Sequence, residues 1–382
     1  MKAVSRVIKC IAVTLFVVLV SGCADKPPLF KPTGDDYPEK LSEWNIYEIS
    51  RKTLKLNHKV VPYDLNTPLF TDYASKLRTI WIPEGSRATF QENEISYPIG
   101  TIITKTFYYP VTVQKNRMGV KASEGGAELY TEKEGLPLDK VRLIETRILV
   151  HQEQGWFALP YVWNEAQTEA ILEWAGDSKM LTLVHKDGSQ EDFPYIVPDA
   201  NQCGGCHAPE SYQKDIQPLG PKVRHLNRDF DYASGVSNQL DFWAEAGLLA
   251  ENVDPEILPR NALWPVPREG ETLKHQTRSY LDINCSHCHN TKGAGNTSGL
   301  FLALDTPYGA SLGVCKPPIA AGRGSGNHSV AIKPGAGDES ILLYRMNSKD
   351  PAVMMPELGR SLIHAGGVNL VRKWINDMDP EC

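Results

Sequence analysis

Two short motifs, each with two cysteines and a histidine, carry the most distinctive chemistry in this sequence. They read Cys203-Gly-Gly-Cys206-His207 and Cys285-Ser-His-Cys288-His289. Cysteines at i and i+3 lie on one side of a helical turn, and the next residue places an imidazole beside the two thiols. C-x-x-C-H is the attachment pattern of c-type haem. In that chemistry the thiols form thioethers with the haem and the histidine ligates its iron. The sequence therefore predicts two covalently bound haem c groups.

A zinc site and a thioredoxin-like dithiol are the competing interpretations of a C-x-x-C pair. Structural zinc usually takes four ligands in a closed Cys/His set. The redox dithiol belongs next to a βαβ pattern, which we do not find in this sequence. The other histidines are scattered without ligand spacing. Haem attachment is the interpretation that accounts for both motifs.

The candidates for the sixth iron ligand differ between the two motifs. Met355, followed by Pro356, is the first candidate at the second motif, with its neighbour Met354 as the alternative. Many small cytochromes c present an axial Met from such a Met-Pro loop, and His/Met ligation raises the reduction potential. At the first motif the leading candidate is His225. Met180 and a vacant position stay open there, and a vacant position would let that haem bind a small ligand.

The remaining cysteines predict one disulfide. Of the eight cysteines, four belong to the two motifs, and Cys10 and Cys23 belong to the N-terminal segment. That leaves Cys315 and Cys382. Disulfides persist in oxidising compartments, and an even remainder is what a closed cysteine account leaves. We expect Cys315 to pair with Cys382; two free thiols are the alternative.

Residues 1–22 have the pattern of a lipoprotein signal peptide. Three basic residues precede an apolar run over 11–20, which is too short to span a bilayer. The run ends in Val20-Ser-Gly-Cys23, which resembles a bacterial lipobox. We expect Cys23 to carry lipid as the mature N-terminus and the chain to face the periplasm, attached to the outer membrane because alanine follows the cysteine. An ordinary signal peptide with an incidental cysteine is the alternative.

Composition restricts the class of partner. The chain has 382 residues, 41% hydrophobic and 23% charged, with a formal net charge of −6. These values are typical of soluble globular proteins, and no basic patch suggests nucleic acid. An acidic electron carrier favours redox partner proteins with a positive docking face.

The residue patterns divide the chain into a tether (23–44), a β-rich domain (45–197), a first haem module (198–270) and a second haem module (271–382). Alternating and β-branched runs predict strands, and apolar residues at helical spacing predict helices in the C-terminal half. A further short helix is predicted over 164–173. The predicted fold class is multidomain α+β. An N-terminal antiparallel β domain is followed by two small helical cytochrome c-like haem modules.

Several strings resemble an uncharacterised family of bacterial di-haem c-type cytochrome lipoproteins. The resemblance covers nearly all of the chain after residue 22. It implies the two haems and the lipid anchor, and it implies a parallel β-helix repeat protein as a possible partner, because such proteins are often encoded beside members. Residues 271–382 also resemble the single-haem cytochrome c domains fused to many bacterial dehydrogenases. The strings include Asn201-Gln-Cys-Gly-Gly-Cys-His207, Tyr280-Leu-Asp-Ile-Asn-Cys-Ser-His-Cys-His289, Met355-Pro-Glu-Leu-Gly-Arg360, Asn66-Thr-Pro-Leu-Phe-Thr-Asp72 and Glu145-Thr-Arg147.

Three functions are compatible with these features. Electron transfer through the two haems is the leading one, because the sequence supplies redox centres and a tether but no paired acidic residues with a catalytic arrangement. A peroxidase-like or other small-molecule haem enzyme, acting at an open first haem, is the second. The third is substrate binding by the β domain, with the haems as its electron outlet.

Overall fold

The computed structural model describes residues 28–382, apart from 33, 35, 115–116, 209–214, 252–253 and 320. The predicted signal peptide and Cys23 lie outside the described residues, as does the start of the predicted tether. The strands are β1 (Tyr47–Ile49), β2 (Thr53–Leu56), β3 (Val61–Tyr63), β4 (Ser75–Trp81), β5 (Thr89–Gln91), β6 (Glu94–Ser96), β7 (Ile102–Gln114), β8 (Arg117–Lys121), β9 (Leu136–Pro137), β10 (Val141–Gln152), β11 (Gly155–Trp163), β12 (Ala170–Leu172), β13 (Asp177–Val184), β14 (Gln190–Val197), β15 (Asp229–Tyr232) and β16 (Gly235–Asn238). The α-helices are α1 (Ala200–His207), α2 (Val223–Leu226), α3 (Gln239–Glu245), α4 (Leu273–Cys285), α5 (Ile341–Met346) and α6 (Ala365–Asn376).

A nine-stranded sheet organises the chain. Its main path runs β12-β11-β10-β7-β8-β13-β14, and β4 pairs with β7 and carries β3 at its other edge. Most pairs are antiparallel, but β13 runs parallel to β8, so the sheet is mixed. Strand β7 is 13 residues long and contacts three other strands, which makes it the centre of the sheet.

The two faces of this sheet have different partners. Alternate side chains of a strand point to opposite faces. One face carries Leu77, Tyr108 and Ile148 into a core built mainly from residues of the N-terminal half. The opposite face carries Ile80 and Ile103, which pack against the chain after residue 220. The C-terminal half therefore covers one face of the sheet.

The predicted fold class is wrong. The chain is mostly β, and its described residues do not form two small helical cytochrome c-like modules. The described part of 198–270 holds helices of 8, 4 and 7 residues and the hairpin β15–β16. Its apolar side chains, such as Leu240 and Trp243, share a core with the sheet. Helices this short are marginal alone, so the helical spacing in this region is realised only as short turns packed on a β surface.

The last part of the chain builds a further core around α4, α5 and α6. These helices have 13, 6 and 12 residues, and loops and single 3-10 turns connect them. Leu281, Leu343 and Val371 meet at the centre of this core. Within the described ranges, no helix is both long and apolar enough to cross a membrane.

The helix predicted over 164–173 is also wrong. Asn164 accepts a backbone bond from Gln167 in a turn, and Gln167 has a φ of 55°, which ends any helix there. The chain then forms β12, which pairs with β11. Sheet pairing replaces the helical bonds that the residue spacing suggested.

Candidate functional site

Helix α1 positions the first motif. Asp199 caps it, because the Asp199 carboxylate accepts the Gln202 amide at 2.8 Å, an arrangement that satisfies a free N–H of the first turn. The helix carries Cys203 buried and Cys206 half-buried on its way to His207. A Cβ at Gly205 would lie 2.9 Å from a methyl carbon of Leu358, so glycine permits the close approach of the loop that contains Met355.

The His207 ring is held in the state that ligates a metal. Its Nδ1 lies 2.7 Å from the carbonyl oxygen of Gln217. A carbonyl only accepts, so Nδ1 carries the proton and Nε2 keeps its lone pair. Burial lowers the pKa of His207 to about 4, and the charges of Lys105 and Arg147 also act to lower it. The imidazole is therefore neutral at pH 7.

Helix α4 ends at the second motif. Its last residue is Cys285, and the turn that follows closes with bonds from the amides of Cys288 and His289 to the Cys285 carbonyl, at 3.2 and 2.9 Å. Burial raises the pKa of Cys285 to about 12. Burial also lowers the pKa of His289 to about 4. The second ring is therefore also neutral at pH 7, and Ser298 Oγ lies 3.4 Å from its Nδ1.

The second motif opens on a cavity of about 360 Å³, within the range of sites that hold small molecules and cofactors. Cys285, Cys288 and His289 line it, and Met355 and Met346 lie on the same walls. The other lining side chains are largely apolar and include Leu300, Leu302, Pro318, Ile319, Leu342 and Leu358. An apolar cavity with two thiols, an imidazole and a thioether is a donor set that fits haem c.

The structure distinguishes Met355 from Met354. Met354 is 8% exposed and does not line the cavity, whereas Met355 does. The Met355 amide donates to the Arg345 carbonyl at 3.0 Å. The Arg360 guanidinium, itself 7% exposed, donates to the Met355 carbonyl at 2.9 Å. Two bonds therefore hold the backbone of Met355 beside the cavity.

The two motifs touch each other. Gly205 and Cys206 of the first motif line the cavity of the second. Cys288 Sγ lies 3.9 Å from the carbonyl oxygen of Gly205, the residue before Cys206. The interaction between the two thiols lowers the pKa of Cys206 and raises that of Cys288. The attachment points predicted for two haems therefore form one continuous site.

His225 lies elsewhere, in a buried polar cluster. Its Nε2 donates to Asp282 at 3.2 Å, and its Nδ1 accepts the Lys222 amide at 3.4 Å. Arg224 also binds Asp282, at 2.7 and 3.0 Å. Burial alone would raise the pKa of Asp282, but the bonds from His225 and Arg224 outweigh it and hold the pKa well below its usual range. Both ring nitrogens of His225 are thus used within the chain, and His225 does not line the cavity.

Cys315 and Cys382, the pair expected from the cysteine count, form a disulfide with an S–S distance of 2.05 Å. Lys316 and Ile319, just after Cys315, line the cavity. The disulfide therefore ties one wall of the cavity to the segment that follows α6.

Sequence reasoning missed a group of cations on the sheet beside the first motif. Lys105 on β7 and Arg147 on β10 both act electrostatically on His207. Burial, with Arg78 and Arg147 next to it, lowers the pKa of Lys105 to about 7. Arg147 lies in one of the strings that carry the family resemblance, but nothing in that string indicates its neighbours.

Among the residues that the structure describes, no three His, Cys, Asp or Glu side chains converge in a way that could hold a metal ion. No protein-family model, no curated protein and no solved structure matches this chain.

Proposed function

We propose that this chain is an electron-transfer protein with two c-type haems, one attached through Cys203 and Cys206 and the other through Cys285 and Cys288. The single observation that carries the proposal is the cavity in which two cysteines, His289 and Met355 face one apolar space. When bound, haem supplies a one-electron iron couple. The residues of the chain attach it, ligate its iron, exclude water and set its potential.

The donor set supports a high-potential second centre. His289 is neutral because burial opposes its charged form, so its lone pair is available without loss of a proton. The thioether of Met355 is a soft ligand that favours Fe(II). Arg360 and Arg345 hold the backbone of the Met355 loop by hydrogen bonds. This pre-arrangement reduces the structural change that accompanies oxidation and reduction.

The contact between the motifs supports transfer between two centres. Because Cys206 and Cys288 line the same cavity, the groups attached to them would meet at their attachment edges. An electron could then pass between the centres with no intervening layer of protein. The chain would accept one electron at a time from a redox partner protein and pass it on.

A potentiometric titration of the matured protein, followed by visible absorption, tests this function. We expect two one-electron waves, each fully reversible, and oxidation of the reduced protein by a small soluble electron acceptor. A single wave, or reduced haem that no external acceptor oxidises, would argue against electron transfer.

Catalysis at the first haem is a second candidate, and the environment of His225 favours it. Both ring nitrogens of His225 are hydrogen-bonded, so this histidine is not free to complete the coordination of that iron. An open position would bind cyanide and react with peroxide. Two low-spin centres with no cyanide or peroxide response would eliminate this candidate. A cyanide-sensitive high-spin signal that disappears in Cys203→Ala would support it.

We also propose attachment to the outer membrane through lipid on Cys23, with the protein facing the periplasm. The support is the lipobox-like string at residues 20–23. Labelled palmitate should enter the wild type, and Cys23→Ser should abolish both labelling and membrane fractionation. A periplasmic parallel β-helix repeat protein is a proposed partner, and co-purification of the lipid-anchored form would test it.

A further inference from the structure

Three cations stand side by side on adjacent strands. Arg78 of β4 is paired in register with Lys105 of β7, and Lys105 is paired with Arg147 of β10. We call these three residues the cationic row. They share the face that the C-terminal half covers, because Ile80 and Ile103, two residues further along their strands, pack against it. Like charges directly opposite each other destabilise a sheet, so an arrangement of this kind requires compensation.

The chain supplies only part of that compensation. Asp64 pairs with Arg78 at 2.7 Å, and Glu145 pairs with Arg147 at 2.6 Å. Lys105 has no hydrogen-bond acceptor among the described residues; its Nζ lies 5.9 Å from the centre of the Phe107 ring. Lys76, a fourth cation 1% exposed, also lies over that ring, at 5.6 Å. Of these four basic side chains, Arg78 and Arg147 are the two that form ion pairs with carboxylates among the described residues.

The cationic row lies beside the first motif. Helix α1 packs against β11, the strand next to β10. The charges of Lys105 and Arg147 act on His207, and that of Arg147 also acts on Cys203. Past the motif, the chain returns to β11 through a bridge between Ile216 and Trp156. A group bound at the first motif would therefore have this row within reach.

We propose that the cationic row binds carboxylates, and that these are the propionates of the haem attached at Cys203 and Cys206. This assignment rests on the proposed function. Haem carries two propionates, which are carboxylates of the kind that Arg and Lys side chains bind. Lys105, the unpaired member, forms the central contact, since charge-assisted bonds to carboxylates are the strong ones. A free dicarboxylate is the other source of the same chemistry.

The test compares Lys105→Met with the wild type as matured, full-length proteins. Thioethers hold the haems, so intact mass should show two haems in both proteins. Removal of a cation beside the propionates stabilises the ferric state. We therefore expect the midpoint potential of one haem to fall by at least about 59 mV. This shift corresponds to a tenfold change in the equilibrium constant of a one-electron reduction. Lys105→Arg should restore the potential, and Lys105→Gln should repeat the fall if the methionine variant does not fold.

Lys179→Met is the matched control. Lys179 is also a half-buried lysine of the same sheet, but its Nζ donates to the Trp163 carbonyl at 3.2 Å. Its replacement should leave both potentials unchanged.

If the wild type carries no haem, the proposed function is wrong. If both neutral Lys105 variants carry two haems and their potentials are unchanged, the role of the cationic row is wrong but the proposed function stands. Two further results also overturn that role. One is stabilisation of the wild type by succinate with no shift in either neutral variant, which assigns the row to a free anion. The other is loss of a low-spin signal in those variants, which makes Lys105 an iron ligand.

Discussion

Cys288 Sγ lies 3.9 Å from the carbonyl oxygen of Gly205, although the two residues belong to different C-x-x-C-H motifs. The contact places the attachment points of the two proposed haems against each other. It follows that the two chromophores should interact. We predict an exciton couplet in the Soret circular dichroism of the loaded wild type, which Cys203→Ala/Cys206→Ala should convert into a simple band. A couplet of unchanged shape in the single-haem variant would rule out the contact.

Met355 should be the thioether ligand of the second centre. Met355→Ala should abolish the weak long-wavelength sulfur-to-iron absorption band and lower the potential of one haem, because a soft ligand that favours Fe(II) is lost. Met354→Ala is the matched control, since Met354 is adjacent and buried but does not line the cavity. Persistence of the band in Met355→Ala, or its loss in Met354→Ala, would reassign the ligand.

Arg360 should stabilise the loop that contains Met355. Its guanidinium donates to the carbonyls of Met355, Ser348 and Leu362, at 2.9, 3.0 and 3.0 Å. Hydrogen bonds of a charged group contribute roughly 1.5–3 kcal/mol each. Arg360→Gln should therefore lower the free energy of unfolding by at least about 3 kcal/mol, measured with urea. Arg142→Gln, which removes an ion pair with the exposed Glu165, should cost no more than about 1 kcal/mol. Equal losses in the two variants would contradict this role.

Asp282 should make stability depend on acidity. Its pKa is held low in the folded chain by His225 and Arg224 against the opposing effect of burial. Between the folded and unfolded pKa values the unfolded chain binds more protons, so this contribution is present above about pH 4 and is lost as the pH falls further. Asp282→Asn should cost about 3 kcal/mol at pH 7, and less at pH 3.

Asp338→Asn is the control for that experiment. Asp338 pairs with Arg372 at the surface, where its side chain is 74% exposed, so the substitution should change little at either pH. A deficit in Asp282→Asn that does not shrink at pH 3 would show that its carboxylate charge is not the cause.

The parts of the fold that depend on local pattern could be predicted from the sequence. The run at residues 79–82, rich in β-branched residues, lies largely in β4, and a similar run at residues 141–150 lies in β10. The helix leading into the second motif is α4. In each case the residue spacing itself reports which face is buried. Met355 followed by Pro356 also indicated a side chain close to the second motif, because many small cytochromes c have a Met-Pro loop of this kind.

The parts that depend on pairing between distant segments could not be predicted. Arg78, Lys105 and Arg147 become neighbours only through strand register, which no local pattern displays. His225 on α2 is hydrogen-bonded to Asp282 on α4. The sequence gives no sign of this contact, so it could not show that the His225 ring is already occupied. The prediction of two helical modules was wrong for the same reason. Short helical patterns say nothing of the sheet on which they pack.

The intact mass of the exported protein shows whether each of the two motifs attaches a haem. The chain should be expressed with the machinery that attaches c-type haem, then unfolded so that only covalent groups remain. We expect a mass increase of two haems for the wild type, and of one haem for each variant in which both cysteines of a single motif are alanine. A wild type that carries no covalent haem, or a motif whose loss leaves the haem count unchanged, would contradict it.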